Sequence, residues 1–149
     1  MNARHRIRLA GPWEAEVLHS SSHQKMAGQR IKAALAGTSQ QLGHPFSGKL
    51  RLHRNFNLPT GLDEDSVVWL CTEGLPLNAK PKLFLNRQPL DRTDGRAIAH
   101  QMEIAVTDIL ENFNRIEVEL SCFGDATPVK ILEDATSMTV QASVWLEIE

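Results

Sequence analysis

The fold is decided by the stretch Ser66–Ser121, which opens with Val67-Val68-Trp69-Leu70-Cys71-Thr72. This first run is apolar on both faces, which indicates a central strand covered above and below. Two further strand runs, one aspartate-marked turn and an alternating run follow: Lys82-Leu83-Phe84-Leu85-Asn86, Gln101-Met102-Glu103-Ile104-Ala105-Val106, Thr107-Asp108-Ile109-Leu110 and Arg115-Ile116-Glu117-Val118-Glu119-Leu120. Short strands in this order, joined by turns, predict an all-β sandwich.

Alternating runs on both sides of this stretch extend the same pattern. They are Arg6–Leu9, Trp13–Leu18 after the break at Gly11-Pro12, Lys49–Phe56, and Met138–Ile148 with Val140, Ala142, Val144, Leu146 and Ile148 facing inward. The whole chain gives roughly eight or nine short strands without an internal repeat or a linker. We therefore expect one β-sandwich domain over residues 1–149.

Three segments are less regular. Ser20–Pro45 contains a candidate short strand at Gln29–Ala33, although the alanines around Leu35 also suit a helical turn. Gly124–Ser137 indicates a long connection with a short strand near Val129–Leu132. Thr107–Asn112 is typical of one N-capped helical turn that links two strands.

Charge and hydropathy exclude several classes of protein. The 149 residues carry a formal net charge of -2, so we expect neither nucleic acid nor an anionic membrane as a partner. The basic cluster Arg4, His5, Arg6 and Arg8 is typical of a charged edge strand. No apolar run reaches the roughly 20 residues of a membrane span, and none follows the first basic residues as in a secretory signal. A cytoplasmic protein is expected.

The cysteines and histidines do not form a metal-binding pattern. Cys71 and Cys122 lie in apolar strands, so we expect buried free thiols rather than a disulfide. The six histidines lack the close pairing of transition-metal sites, and no cofactor is expected. A structural calcium ion stays open, because Asp63-Glu64-Asp65, or Asp91 with Asp94, could supply oxygen ligands.

Five short motifs resemble the galactose-binding-like jelly roll, and in particular the sugar-binding domain at the front of family-two glycoside hydrolases. They are Val68-Trp69-Leu70, Glu73-Gly74-Leu75, Phe84-Leu85-Asn86, Ile104-Ala105-Val106-Thr107-Asp108-Ile109-Leu110 and Asn114-Arg115-Ile116-Glu117-Val118. The resemblance covers about Leu50–Leu120. It implies a jelly-roll sandwich without the catalytic barrel of those enzymes, and hence carbohydrate binding without catalysis.

The sequence departs from that family at two positions. An Asn-Gly turn is replaced by Asn86-Arg87, so we expect the loop to turn by another route than the positive φ that glycine supplies. An aromatic residue before the aspartate-marked turn is replaced by Gln101-Met102-Glu103. Both motifs are architectural, and neither adds a catalytic group.

Candidate ligand-binding residues come from the aromatic and amide side chains. Because tyrosine is absent, a sugar could stack only on a tryptophan, and Trp145 on the polar side of the last strand is the best candidate. His53, Asn55 and Gln101 would bind hydroxyl groups. Trp69 is expected in the core and Trp13 under a sheet edge. A Trp145 covered by Ser20–Pro45 is the plainer alternative.

No catalytic constellation accompanies these residues. The pairs Glu117 with Glu119 and Glu147 with Glu149 are spaced as on a solvated strand face, so we expect no glycosidase chemistry and no enzyme. The serines at 20–22 beside His19 and His23 are typical of a polar loop.

Two hypotheses follow for the function. The first is a non-catalytic carbohydrate-binding module. The second is a structural or protein-interaction domain that docks on a partner or on a second copy through an apolar rim at Leu58-Pro59 and Leu75-Pro76-Leu77.

Overall fold

The computed structural model describes residues 5–9, 12–35, 43–75, 81–90, 95–98, 101–123, 128–132 and 137–149, with the backbone alone for 95–98 and Gln101. The strands of this part are β1 His5–Arg8, β2 Trp13–Ser20, β3 Arg30–Leu35, β4 His44–Pro45, β5 Gly48–Asn57, β6 Val68–Glu73, β7 Lys82–Leu85, β8 Gln88–Pro89, β9 Gly95–Ile98, β10 Gln101–Ala105, β11 Phe113–Cys122, β12 Val129–Ile131, β13 Ser137–Val140 and β14 Ser143–Ile148. One 3₁₀ turn, Gln24–Met26, accompanies them.

The strands form two sheets that pack into a sandwich. The five-stranded sheet has the order β1-β14-β6-β10-β9, and the nine-stranded sheet has the order β4-β12-β13-β3-β2-β5-β11-β7-β8. Among the strands that the structure describes, every pairing is antiparallel except β13 with β3. The predicted central position of β6 is confirmed, because this strand lies third of five. The predicted cover on both faces fails at Trp69, which is half-exposed. The predicted charged edge strand is confirmed in β1.

Strand alternation explains how the core forms. In β5 and β11 most alternate side chains are apolar and buried, among them Leu50 and Leu52 in β5 and Ile116 and Val118 in β11, while most intervening side chains are polar and lie on the outer face. These two strands pair over ten residues, from Phe113 opposite Asn57 to Cys122 opposite Gly48. Burial of the apolar face stabilises the sandwich by about 25 cal/mol for each Å² removed from water.

The chain changes sheets between β13 and β14. The predicted single run Met138–Ile148 is therefore two strands, one in each sheet, with the break at Gln141-Ala142. Its inward face is as expected, since Val140, Ala142, Val144 and Leu146 are buried.

Close backbone approach requires glycine at several positions, including Gly48 and Gly74 beside the central strands. A Cβ on Gly48 would lie 2.1 Å from the carbonyl oxygen of His19, where β2 has a bulge between Val17 and His19. A Cβ on Gly74, which follows β6 with φ 89°, would lie 2.9 Å from the carbonyl oxygen of Gln141. A side chain at Gly48 would push β2 away from β5.

The remaining local predictions concern one short strand, the two cysteines and one turn. The candidate strand in Ser20–Pro45 is confirmed as β3, and Cys71 and Cys122 are buried free thiols. The helical turn predicted at Thr107–Asn112 is a non-helical turn over 107–109, and the hydroxyl of Thr107 accepts a 2.9 Å hydrogen bond from the backbone N–H of Val68 instead. It therefore ties the turn to β6.

Trp13 and Trp69 have different environments. Trp13 is buried in the core, and its Nε1 donates to the carbonyl oxygen of Leu9 at 2.7 Å. The prediction of Trp69 in the core is wrong, because Val68 and Leu70 take the inward positions of β6. Trp69 is half-exposed on the outer face, and its Nε1 donates to Oε2 of Glu149 at 3.1 Å.

Candidate functional site

The four predicted ligand-binding residues do not come together. Trp145 in β14 and Gln101 in β10 belong to the five-stranded sheet, while His53 and Asn55 in β5 belong to the nine-stranded sheet. Trp145, His53 and Asn55 point away from the core, so their sheets place them on opposite outer surfaces of the sandwich. The side chain of Gln101 is outside the described part. No single ligand can contact Trp145 together with Asn55.

Trp145 is not an exposed platform, and that prediction is wrong. Only 3% of the residue is accessible to solvent. Its ring lies under the guanidinium of Arg6, whose Cζ is 4.5 Å from the ring centroid, and its Nε1 donates to Oε1 of Glu147 at 3.0 Å. The reason is the pairing of β14 with β1, which places Arg6 and Arg8 beside Trp145 and Glu147. Strand β1 therefore covers part of Trp145, whereas the alternative prediction had assigned this cover to Ser20–Pro45.

His53 contacts a carboxylate on the outer face of the nine-stranded sheet, beside a network of ion pairs. Its Nε2 lies 3.1 Å from Oε1 of Glu14 on the neighbouring strand β2. On the other side of β5, Arg51 approaches Glu119 at 3.3 Å and Glu117 at 3.6 Å. These contacts engage His53 and both carboxylates within the sheet face.

Glu119 is the most strongly held member of this network. Lys49 Nζ lies 2.8 Å from its Oε1, and Arg51 Nη2 lies 3.3 Å from its Oε2. Burial acts to raise the pKa of the Glu119 carboxyl, but hydrogen bonds from Lys49 and Arg51 and the charges of both hold that pKa below its usual range. The carboxylate is therefore ionised at neutral pH, as a structural ion pair requires.

One of the four, Asn55, lines a cleft. The cleft has a volume of about 600 Å³ and is open to solvent. It lies where β5 ends and β11 begins, beside the turn between β7 and β8. Its walls combine amide, guanidinium, carboxylate and aromatic side chains: Asn55, Phe56, Asn57, Asn86, Arg87, Glu111, Phe113, Asn114 and Arg115.

Asn114 anchors one wall of the cleft. The residue is 2% exposed, and its Oδ1 accepts hydrogen bonds from Asn86 Nδ2 at 2.9 Å and from the backbone N–H of Glu111 at 2.8 Å. Its Nδ2 donates to the carbonyl oxygen of Glu111 at 2.8 Å. One buried side chain thus fixes the segment that enters β11 and fastens it to the β7–β8 turn.

The turn Asn86-Arg87 forms a second wall, and it corrects the sequence prediction. Both residues have positive φ, 52° for Asn86 and 70° for Arg87, in a two-residue loop between Leu85 and its strand partner Gln88. This is the conformation that an Asn-Gly hairpin adopts, so the predicted alternative route is wrong. Asn86 supplies the stabilising contacts: its Nδ2 donates to Ile109 O at 3.2 Å, and its Oδ1 accepts from Arg115 N–H at 2.8 Å.

Phe113 is the aromatic group that the sequence analysis missed. It is 79% exposed, since it precedes buried Asn114 in the alternation of β11 and faces outward with Arg115. The same alternation that placed Ile116 and Val118 inward could have identified it. An exposed phenyl ring between amide and charged groups offers an apolar surface with hydrogen-bonding groups around it.

Side chains that could bind a metal ion cluster elsewhere in the described part of the molecule. Cys71, Glu103 and Glu147, on three adjacent strands, bring their ligand atoms within 4.8 Å of one another. Glu147 Oε1 already accepts from Arg6 Nη2 at 3.2 Å and from Trp145 Nε1 at 3.0 Å. Of the predicted calcium ligands, Asp63 closes its own loop by accepting from Asp65 N–H at 2.9 Å, and Asp91 and Asp94 are outside the described part.

Comparison with known proteins gives no match to a protein-family model or to a curated protein sequence. Solved structures do match. The chain shares its fold with β-glucuronidases. The resemblance to a β-domain of family-two glycoside hydrolases is thus confirmed for the fold.

Three solved structures illustrate this similarity. The β-glucuronidase of Ruminococcus gnavus in complex with N1-substituted uronic isofagomine has 12% identity and a TM-score of 0.60, with 97% of this chain covered. The enzyme of an uncultured Clostridium sp. has 15% identity and a TM-score of 0.60 over 99% of this chain. The FMN-binding enzyme of Faecalibacterium prausnitzii L2-6 has 15% identity and a TM-score of 0.59 over 97% of this chain.

The match covers only a part of each enzyme. This chain spans 29% of the first two chains and 22% of the third. At these identities the comparison establishes the architecture. Within the described ranges, no helix has the length and apolar character needed to cross a bilayer. The predicted cytoplasmic location stays a prediction.

Proposed function

We propose that the chain is a non-catalytic carbohydrate-binding domain and that the cleft between β5, β11 and the β7–β8 turn is its sugar site. The exposed ring of Phe113 at the cleft is the observation that carries this proposal. The apolar C–H face of a pyranose stacks on such a ring, and its hydroxyl groups need donors and acceptors at the edge. Asn55, Asn57 and Arg115 supply these groups.

One wall of the cleft is also rigid, which favours the binding of weak ligands. The side chains of Asn86 and Asn114 are held by several hydrogen bonds each, so the wall is formed before a ligand arrives. A preformed wall reduces the conformational entropy lost on binding. The similarity to domains of β-glucuronidases supports a carbohydrate-related function at the level of the fold.

Binding without catalysis is part of the proposal. A glycosidase acts with two carboxyl groups about 5–9.5 Å apart across the sugar. Glu111 is the one carboxylate among the cleft residues, and the nearby Glu117 is held by Arg115 at 3.2 Å and by Arg51 at 3.6 Å. This arrangement offers the sugar hydrogen bonds rather than a catalytic pair.

The test compares two exposed phenylalanines that lie at opposite ends of β11. Phe113→Ala removes the ring at the cleft, whereas Phe123→Ala removes a ring that is 69% exposed at the opposite end of β11. Titration with monosaccharides and short glycans, followed by heteronuclear NMR, should show shifts at Asn55, Asn57 and Arg115. We expect Phe113→Ala to weaken binding by about tenfold or more and Phe123→Ala to leave it unchanged. Equal effects of the two variants, or no shifts with any sugar, would reject the site.

The second candidate is a protein-interaction domain, which the exposed rings of Phe113 and Phe123 favour. The predicted rim at Leu75 is wrong, because Leu75 is 3% exposed and packs in the core, while Pro76 and Leu77 are outside the described part. Leu58 and Pro59 are half-buried. If this candidate is correct, Phe113→Ala should change the molar mass measured by light scattering, or the affinity for a protein partner, without any response to sugars.

A further inference from the structure

Arg87 occupies a backbone conformation that disfavours its own side chain. It is the second residue of the two-residue hairpin loop, with φ 70°, a position at which glycine is preferred because a Cβ crowds the backbone. Strained non-glycine residues of this kind concentrate at sites where the side chain is needed. The Arg87 side chain is exposed and lines the cleft.

The turn itself does not need an arginine. Its hydrogen bonds are made by Asn86, through the side-chain amide and through the backbone N–H, which donates to Arg115 O at 2.9 Å. Within the described ranges, the Arg87 guanidinium has no ion pair and no hydrogen bond. By contrast, Arg115 at the same cleft is matched by Glu117 at 3.2 Å.

We propose, on the basis of the carbohydrate site above, that Arg87 selects sugars that carry an anionic group, either a carboxylate or a sulfate. A guanidinium group pairs with both through two parallel N–H···O bonds, and it stays charged at any physiological pH. Phe113 would hold the ring of the sugar and Arg87 its anionic substituent. The negative charge of Glu111, the carboxylate of the cleft, opposes the preference for anionic sugars and therefore limits its magnitude.

The experiment measures the affinity of the full chain for matched sugar pairs by calorimetry or NMR titration. The probes are glucose with glucuronate, galactose with galacturonate, and glucose 6-sulfate. We expect the anionic member of at least one series to bind about tenfold more tightly at about 20 mM salt, and this advantage to shrink at about 500 mM salt. Comparison of glucuronate and galacturonate with glucose 6-sulfate identifies which anion the site prefers.

Three variants test the role of Arg87. Arg87→Gly removes the cation while it relieves the positive φ, so the fold is retained and only the advantage of the anionic sugar should fall, to about twofold or less. Glu111→Gln should increase that advantage. Lys25→Ala, in the 3₁₀ turn at the other end of the sheet, makes the same change in net charge as Arg87→Gly and should have no effect.

The outcomes separate the two proposals. If neutral and anionic sugars bind equally well and Arg87→Gly changes neither, the selectivity is refuted and the carbohydrate site stands. If anionic sugars bind better but Lys25→Ala abolishes the advantage as strongly as Arg87→Gly, the effect is one of net charge and the assignment to Arg87 is overturned. If no sugar binds to the wild-type chain, both proposals fail.

Discussion

Asn86 Nδ2 donates a 2.9 Å hydrogen bond to Oδ1 of Asn114, and this contact fastens the β7–β8 turn to the entry of β11. Asn86 lies in the β7–β8 hairpin turn, whereas Asn114 lies at the start of β11, which pairs with β5 and β7. Asn114 is almost completely buried, so its oxygen has no access to water as a substitute partner. This amide–amide contact therefore supports the geometry of the cleft together with the hydrogen bonds of Asn86 to Ile109 and Arg115.

Replacement of Asn114 tests this dependence. Asn114→Ala should lower the free energy of unfolding by about 2–4 kcal/mol, because it leaves the backbone N–H and C=O of Glu111 without their partner. Urea denaturation measures the change. The exposed neighbour Asn112 provides the control, since Asn112→Ala removes no described side-chain contact and should cost less than about 0.5 kcal/mol. A loss for Asn114→Ala as small as that would contradict the anchoring role.

The positive φ of Arg87 makes an opposite prediction for stability. Arg87→Gly should raise the free energy of unfolding by about 0.5–1 kcal/mol, because glycine relieves the left-handed strain. Gln88→Gly, one residue later in β8, should lower it by about as much, since glycine weakens a strand. Chemical denaturation of the two variants in parallel decides the sign. Destabilisation by both substitutions would mean that Arg87 supports the turn itself.

Burial of Trp145 predicts a structural effect without a ligand effect. Trp145→Ala should cost about 3–5 kcal/mol, because it empties a large buried volume and removes the donor to Glu147. Trp69→Ala, at a half-exposed position on the same face, should cost clearly less. Sugar affinity of the folded Trp145 variant should stay within about twofold of wild type. A selective loss of sugar binding in Trp145→Ala would return that face to consideration as the site.

The lowered pKa of Glu119 makes stability depend on pH in a definite direction. Its folded-state pKa lies below the unfolded value near 4.5, so the carboxylate stabilises the fold fully above that pH and loses this contribution as pH falls below it. Glu119→Gln should therefore lose about 1 kcal/mol at pH 7 and little at pH 3. Urea denaturation over this range measures the difference. Glu64→Gln, in an exposed loop, should follow the wild-type curve.

Much of the fold could be predicted because strand alternation is local. The inward positions of β11 and of the last two strands follow from period-two patterns, and so does the outward position of Trp145. What covers Trp145 could not be read in this way. Its cover is Arg6, which comes from the other end of the sequence and arrives through strand pairing.

The candidate site was less predictable for a similar reason. Asn55 was identified, but its cleft is built from three separate chain segments, the end of β5, the β7–β8 turn and the start of β11, whose proximity depends on sheet order. The hairpin turn was mispredicted because glycine was taken as the requirement for positive φ. Here Asn86 tolerates a positive φ well, and its long-range hydrogen bonds hold the whole turn, including Arg87, in this conformation.

The passage of the chain from one sheet to the other between β13 and β14 has a consequence for biosynthesis. β14 lies between β1 and β6, and β13 lies between β12 and β3, so residues 137–148 complete both layers. On the ribosome, β6 and β3 would keep an unpaired edge until this segment emerges. Closure of the sandwich is therefore a late, long-range event, and nascent chains that stall before residue 137 should be the species that chaperones retain.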